Sequence, residues 1–297
     1  MEGCRGRGAR DDRLEGARHG DVPGVREDVR EELPQPEILR PGVQGRAGQE
    51  GREAQARRRE GRVAMKRCIA SVSWGKDSLA MLHGLIERGM PLDEVVFYDT
   101  GMEFDAIYAE RDRMLPLLRE NGIRYVELRP KDPFWWSMFC RPVKSRKTGE
   151  VHKHGYGWCG GPCRWGTTEK LRAIDRHAER EPGGATVYVG IAADETARLE
   201  KERKPYKRFP LADWGMREAD CLAACYAHGH EWEQDGVRLY DILDRVSCWC
   251  CKNKNQKELR AIKENLPDCW RRLVAMEEVL GNMKRRTLEE IGGACEG

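Results

Sequence analysis

From Lys66 onward the apolar positions fall into two alternating rhythms. Short apolar or β-branched runs stop at small or acidic turn residues, and three- and four-residue periodicity then takes over. The first run, Cys68-Ile69-Ala70-Ser71-Val72, breaks at Ser73-Trp74-Gly75. Leu79, Leu82, Leu85 and Ile86 then share one helical face, and Gly89 and Pro91 give the stop. Val95-Val96-Phe97-Tyr98 reads as a second, fully buried strand that ends at Asp99-Thr100-Gly101. A helix over about 103–121 follows, with a kink at Pro116 and a stop at Gly122. Residues 125–128 and 186–191 supply a third and a fourth strand, and further helices are predicted over 168–180, 217–228, 254–265 and 268–280. Strands separated by helices predict an α/β fold: a parallel sheet with helices on both faces and ligands at the carboxyl ends of its strands. That edge carries residues 73–78, 99–101 and 190–198.

Two stretches break the rhythm. Residues 131–165 hold an aromatic cluster (Phe134, Trp135, Trp136), a basic segment from Arg141 to Lys153, and Trp158-Cys159-Gly160-Gly161-Pro162-Cys163-Arg164-Trp165. A long loop in a compact domain is functional or disordered, and the tryptophan and cysteine content here points to function. Residues 1–64 contain no lysine and no aromatic residue and follow neither period. They read as a disordered arm or as upstream sequence ahead of a start at Met65, outside the fold in either case. The rest divides into a nucleotide-binding α/β domain over 65–215 and a helical, cysteine-bearing region over 216–297. A net charge of +3 gives no global basic field for nucleic acid. No apolar run approaches a membrane span and no signal-peptide core is present, so a cytoplasmic protein is expected. In that compartment 12 cysteines point to metal, iron–sulfur or redox chemistry rather than disulfides.

Chemistry concentrates first in the bend after the opening strand. Ser73, Gly75, Lys76 and Ser78 sit where a strand meets a helix N-terminus, so amide groups, the helix dipole, two hydroxyls and an ammonium converge on a place suited to a phosphate. No glycine stands four residues ahead of Gly75, so this is not the Walker A pattern. Ser73-Trp74-Gly75-Lys76-Asp77-Ser78 resembles instead the PP-loop of the adenine nucleotide alpha hydrolase superfamily, in the branch holding the phosphoadenosine phosphosulfate (PAPS) reductases. Trp74 stands where the commoner form has glycine. Tyr98–Phe104 is similar to that family's Asp-Thr-Gly segment, Gly190–Arg198 to its Gly-x-Arg-x-Asp-Glu-x-x-Arg with Ala192 at the first arginine, and Pro210–Trp214 to its Pro-Leu-x-Asp-Trp. The resemblance implies a Rossmann-like, HUP-type sheet. It also implies nucleotide binding by Ser71, Ser73, Trp74, Gly75, Lys76, Asp77, Ser78, Asp99, Thr100, Gly101, Gly190, Asp194, Glu195 and Arg198, with Lys76 and Asp77 in the catalytic role. Taken singly, Asp99, Asp194 and Glu195 also read as turn and capping residues.

Cys159-x3-Cys163 and Cys248-x-Cys250-Cys251 form two tight groups. Four thiolates suffice for an iron–sulfur cluster or for structural zinc. Relatives in the resembled branch hold a [4Fe–4S] cluster between two such groups, which implies Cys159, Cys163, Cys248 and Cys251 as ligands, with Cys250 in reserve. His152 and His154 would complete a zinc site instead. Cys221 and Cys225, four apart, read as core, as do Cys68, Cys140 and Cys269. Two reactions stay open. Lys76 fits an enzyme that holds a whole triphosphate and, with Mg2+, cleaves ATP at the α/β bond. Cys295 in the tail would instead serve a thiol-dependent reduction of PAPS or adenylyl sulfate. The acceptor would be a small oxyanion, or a protein or nucleic acid receiving sulfur. A third reading is a zinc-stabilised nucleic-acid module using Arg141–Lys153 and Lys201–Arg208. Oligomeric state is not legible.

Overall fold

Four short, largely apolar runs and one basic edge segment assemble into one parallel sheet. A computed structural model of the chain describes residues 66–161, 163–201 and 204–293, so the expectations for residues 1–64 and for Cys295 lie outside the described residues. The central strand β1 (Arg67–Val72) pairs with β2 (Glu94–Tyr98) on one side, and β2 pairs with β3 (Arg124–Leu128). After a hairpin, β4 (Pro142–Lys144) and β5 (Val151–His154), the chain crosses to the other flank of β1 as β6 (Ala185–Val189) and then β7 (Lys207–Arg208). The order β3-β2-β1-β6-β7, all parallel, is that of a Rossmann-like HUP fold. It reverses direction at β1. The crevice outside the carboxyl ends of β1 and β6 is therefore the topological switch point, the place where open α/β sheets bind ligands.

Period-two alternation explains how both faces are covered. Ala70, Val72, Val95, Phe97 and Tyr188 point to one side, where they pack with helix α1 (Lys76–Glu87) and helix α2 (Asp105–Glu120). Ile69, Val96, Tyr98 and Val187 point to the other, onto Ile174 and Ala178 of α3 (Lys170–Glu179). Two short helices, α4 (Thr196–Lys201) and α5 (Pro210–Asp213), lead to α6 (Glu218–Ala227), α7 (Leu239–Ile242), α8 (Gln256–Asn265), α9 (Pro267–Leu280) and α10 (Leu288–Gly293). The larger core runs without a break from Ala70 through Cys221, Leu259 and Leu273 to Ile291, so these C-terminal helices share the sheet's own hydrophobic cluster. Cys221 and Cys225 are fully buried in it, as expected from their spacing. No described helix is long and apolar enough to cross a membrane.

The amino edge of the sheet is closed by charge. Glu94 is 0 % exposed and meets Arg67 at 3.5 Å, Arg124, and Nε2 of His177 at 2.5 Å. A buried carboxylate needs that much compensation. The site edge, at the other end, is left to the loops.

Candidate functional site: the bend after β1

The bend begins with an improbable residue. Trp74 adopts φ +61°, a left-handed conformation that is costly for a bulky side chain and free for glycine. Tertiary contacts hold it there. Its ring is wholly buried against Phe97 and Tyr125, at centroid distances of 6.1 and 5.9 Å, and its carbonyl accepts the indole N–H of Trp232 at 2.7 Å. Gly75 then caps α1 in extended conformation, and Gly75 O accepts from the amide of Leu79 and from the Ser78 hydroxyl at 2.9 Å. Ser78 Oγ in turn accepts the Ser73 amide at 3.1 Å. The two serines thus spend themselves on shaping the turn.

The decisive question is where the amides of this bend go. Ser73 N–H is taken by Ser78, and Lys76 N–H donates to the Tyr240 hydroxyl at 2.9 Å. Among the described residues, the amides of Trp74, Gly75, Asp77 and Ser78 have no hydrogen-bond partner. They stand at the N-terminus of α1, where the helix dipole is positive. Gly190, ending β6, makes this approach feasible: a Cβ on it would sit 3.0 Å from Asp77 C and O and from Ser78 Cα. The loops after β1 and β6 therefore meet, bringing 73–78 beside 190–195. Ser71 lies inside the central strand, in register with both Val96 and Val189.

Charge around the bend is mixed rather than purely basic. The Lys76 ammonium is nearly buried and lies 2.7 Å from Asp77 and 2.9 Å from Glu218. Burial opposes its charge, but those hydrogen bonds outweigh burial and hold its pKa above the ordinary value. Asp77 is pushed up, first by burial and then by Glu218 and Glu195, with Lys76 pulling the other way. Asp194 accepts the amide of Glu218 at 3.1 Å and lies 3.8 Å from Arg217. Arg198 turns to Glu195, and Ala192, at the position where the family carries arginine, is completely buried. Asp99 Oδ1 accepts from Gly101 N at 2.8 Å and from the Tyr108 hydroxyl at 2.7 Å, while Arg129 approaches its other oxygen at 3.6 Å. That carboxylate fixes the turn after β2.

The same turn carries the second cysteine group. Thr100 Oγ1 lies 3.5 Å from Cys248 Sγ, Glu103 Oε1 is 3.7 Å from that sulfur, and the Trp249 amide bonds to Met102 O. Burial, Glu103 and Cys250 raise the Cys248 thiol well above its usual value; burial and the neighbouring Cys163 and Cys251 thiols raise Cys159. Cys250 is raised by burial, then by Cys251, with Cys163 adding to it. Both groups thus face one another. All are free thiols, while Cys68 and Cys140 are half-buried and Cys269 buried. Beside them, Lys254 is 2 % exposed and its ammonium has no hydrogen-bond partner among the described residues. Burial lowers its pKa, and Glu258 and then Cys251, Cys248 and Cys250 counter that. Its ammonium lies over the Phe104 ring, 5.1 Å from the centroid, and a buried cation without a hydrogen bond beside a set of thiols suits an anionic thiolate-ligated group. No three cysteine sulfurs lie within 4.8 Å of one another among the described residues. Tetrahedral zinc would need its sulfurs about 3.8 Å apart. His152 and His154 are exposed on β5, away from any such grouping.

Several of these residues carried no sequence signal. Tyr240, Glu218 and Trp232 reach the bend from 142 to 164 positions downstream. Lys254 looks like a surface lysine in a one-dimensional reading, and only its burial separates it from the rest.

Fold and bend together define a PP-loop α/β protein with its strand-to-helix bend at the switch point. The chain belongs to the phosphoadenosine phosphosulfate reductase domain family, whose model matches residues 67–219. It is 26 % identical over 223 residues to the uncharacterized protein MJ0066 of Methanocaldococcus jannaschii, covering 69 % of this chain and 40 % of that protein. It is 41 % identical over 71 residues to sulfate adenylyltransferase subunit 2 of Mycobacterium sp. (strain JLS), covering 23 % of this chain and 22 % of that one. The chain thus spans well under half the length of these curated relatives. Members of the family are enzymes acting on adenine nucleotides in sulfur metabolism.

Proposed function

We propose that the chain binds an adenine nucleotide with its phosphates on the 73–78 bend and cleaves ATP between the α- and β-phosphates, passing the adenylyl group to an oxyanionic acceptor. The unpaired amides of Trp74, Gly75, Asp77 and Ser78 at the start of α1 carry this reading. An acceptor oxygen attacks the α-phosphorus, the bond from that phosphorus to the α–β bridging oxygen breaks, and pyrophosphate leaves with the electron pair. The amides and the α1 dipole stabilise the charge that builds on the leaving group. Lys76 joins them when phosphate oxygens replace Asp77 or Glu218 as its partner. Asp77, Asp194, Glu195 and Glu218 offer the oxygen ligands that suit Mg2+. Bound there, magnesium would supply neutralisation of the leaving phosphates.

Cys159, Cys163, Cys248 and Cys251, with Cys250 in reserve, would hold a [4Fe–4S] cluster, which supplies one-electron chemistry or a fixed charge beside the nucleotide. The buried ammonium of Lys254, without a hydrogen-bond partner beside these thiols, supports a thiolate-ligated anionic group there.

The test is pyrophosphate release from ATP by anaerobically prepared protein, wild type against Lys76→Ala. Release that falls at least about a hundredfold in the variant, with the melting transition unchanged, is expected for loss of a charged transition-state contact. Undiminished release would remove Lys76 from the mechanism. Sulfite production from adenylyl sulfate, without pyrophosphate from ATP, would replace this reading with the thiol-dependent reduction.

A further inference from the structure

The end of α1 remote from the bend carries a second constellation. His83 and Glu87 lie four residues apart on one face of α1, and His228, which closes α6, packs against them. One ligand atom from each of His83, Glu87 and His228 falls within 4.8 Å of the other two. His228 Nε2 is 3.1 Å from Glu87 Oε1, and the His83 and His228 rings stack at 3.9 Å. Glu87 meets no arginine or lysine among the described residues.

Behind this trio the proton positions are dictated from within the core. Glu110 Oε1 accepts the amides of Glu231 and Trp232, and Oε2 lies 2.5 Å from Nδ1 of the buried His230. Arg113 stands 3.9 Å from the same carboxylate and also donates to Gly229 O. A carboxylate only accepts, so His230 Nδ1 carries a proton, and in the neutral ring its Nε2 keeps a lone pair. That Nε2 is 2.8 Å from Nε2 of His83, which must therefore donate. His83 is left with its lone pair on Nδ1. A neutral imidazole oriented through its far nitrogen by a buried carboxylate is the arrangement that metal-binding histidines use.

The other histidine–carboxylate trio, Glu94, His177 and Glu181, shows the contrast. There Arg67 and Arg124 already neutralise the carboxylates, and it is an ion-pair network.

We propose that His83, Glu87 and His228 bind a late first-row divalent cation of the zinc or nickel class, with His230 and Glu110 orienting His83 behind it. Two imidazoles and a carboxylate match that class, and three protein ligands leave a further position for water. His228 is exposed and turns out of its stack to ligate. Glu87 is about 16 Å along α1 from Lys76 at 1.5 Å per residue, so the cation clamps α1 to the turn after α6 and stays clear of the nucleotide. The proposal does not depend on the reaction assigned above.

Cobalt(II) titration of the untagged full chain tests it, because cobalt on cysteine shows thiolate charge-transfer absorbance and cobalt on histidine and carboxylate does not. Wild type is expected to bind one equivalent without the thiolate band. His228→Ala and Glu87→Ala, both at exposed positions, should weaken that equivalent at least about tenfold while any thiolate band and the metal-free melting temperature stay unchanged. His230→Gln should keep the stoichiometry and weaken binding by about tenfold, as loss of an orienting partner does. Equal binding of that equivalent by wild type and His228→Ala, or no such equivalent in the wild type, overturns the proposal.

Discussion

Gly190→Ala probes the close approach on which the site depends. The added Cβ would lie 3.0 Å from Asp77 C, Asp77 O and Ser78 Cα. Ordinary contact between carbon atoms is about 3.5–4.0 Å, so roughly 0.5 Å must be found. All three atoms are backbone in the first turn of α1, and no side chain can rotate away to provide it. Gly190 has no positive φ, so the cost is steric alone. Overpacking of this kind costs about 1–3 kcal/mol, offset by roughly 0.4–1 kcal/mol from the stiffer unfolded chain. The expected net loss is about 1 kcal/mol in urea unfolding. The functional loss should be larger. Shifting the Asp77 and Ser78 amides by about 0.5 Å takes them out of the narrow distance window of a good hydrogen bond, and pyrophosphate release should drop at least about tenfold. Gly293→Ala, where nothing lies within 4 Å of the added carbon, is the control and should leave turnover unchanged and stability equal or slightly raised. A Gly190→Ala protein with wild-type stability and wild-type turnover would mean that the contact is slack and that this account of the bend is wrong.

Other consequences follow from the same packing. Alanine in place of a mid-helix glycine ordinarily stabilises by about 1 kcal/mol, but at Gly84 the new carbon would fall 2.4 Å from the Trp214 ring, so Gly84→Ala should destabilise by about 1–3 kcal/mol in urea unfolding. Trp74→Gly releases about 1–2 kcal/mol of left-handed strain yet gives up a buried indole worth about 3–5, so calorimetry should show a net loss near 2 kcal/mol. Asp175 is held below the usual carboxylate range: burial opposes its charge, and Lys204, Lys207 and Tyr206 together outweigh burial. Its contribution is therefore present above about pH 4 and lost as pH falls through the lowered value. The stability gap between wild type and Asp175→Asn should be open at neutral pH and narrow steadily as the pH is lowered below about 4, measured by urea titration at each pH.

Much of the sheet was legible because its strands are buried on both faces and read as short continuous apolar runs. The strand expected over 186–191 spans Ala185–Val189, and the helices expected over 217–228 and 268–280 span Glu218–Ala227 and Pro267–Leu280. The edge strand β7 escaped, because Lys207-Arg208 has no apolar rhythm and pairs only through its backbone. The β4–β5 hairpin likewise hid inside a basic loop, its residues mostly exposed. The helix expected over about 103–121 does run through Pro116, spanning Asp105–Glu120.

Strand–helix alternation, the position of the bend after β1 and the family were all written in the chain's local pattern. Those depend on neighbours within a few residues, where periodicity and turn chemistry act. Tertiary structure alone decided that Tyr240 covers one amide of the bend, that Glu218 shares Lys76, that Lys254 is stranded beside the cysteines, and that the histidines of α1 and the turn after α6 converge. The contacts at the bend and between the histidines cross more than a hundred residues, and the side chains that make them take their chemistry from burial rather than identity.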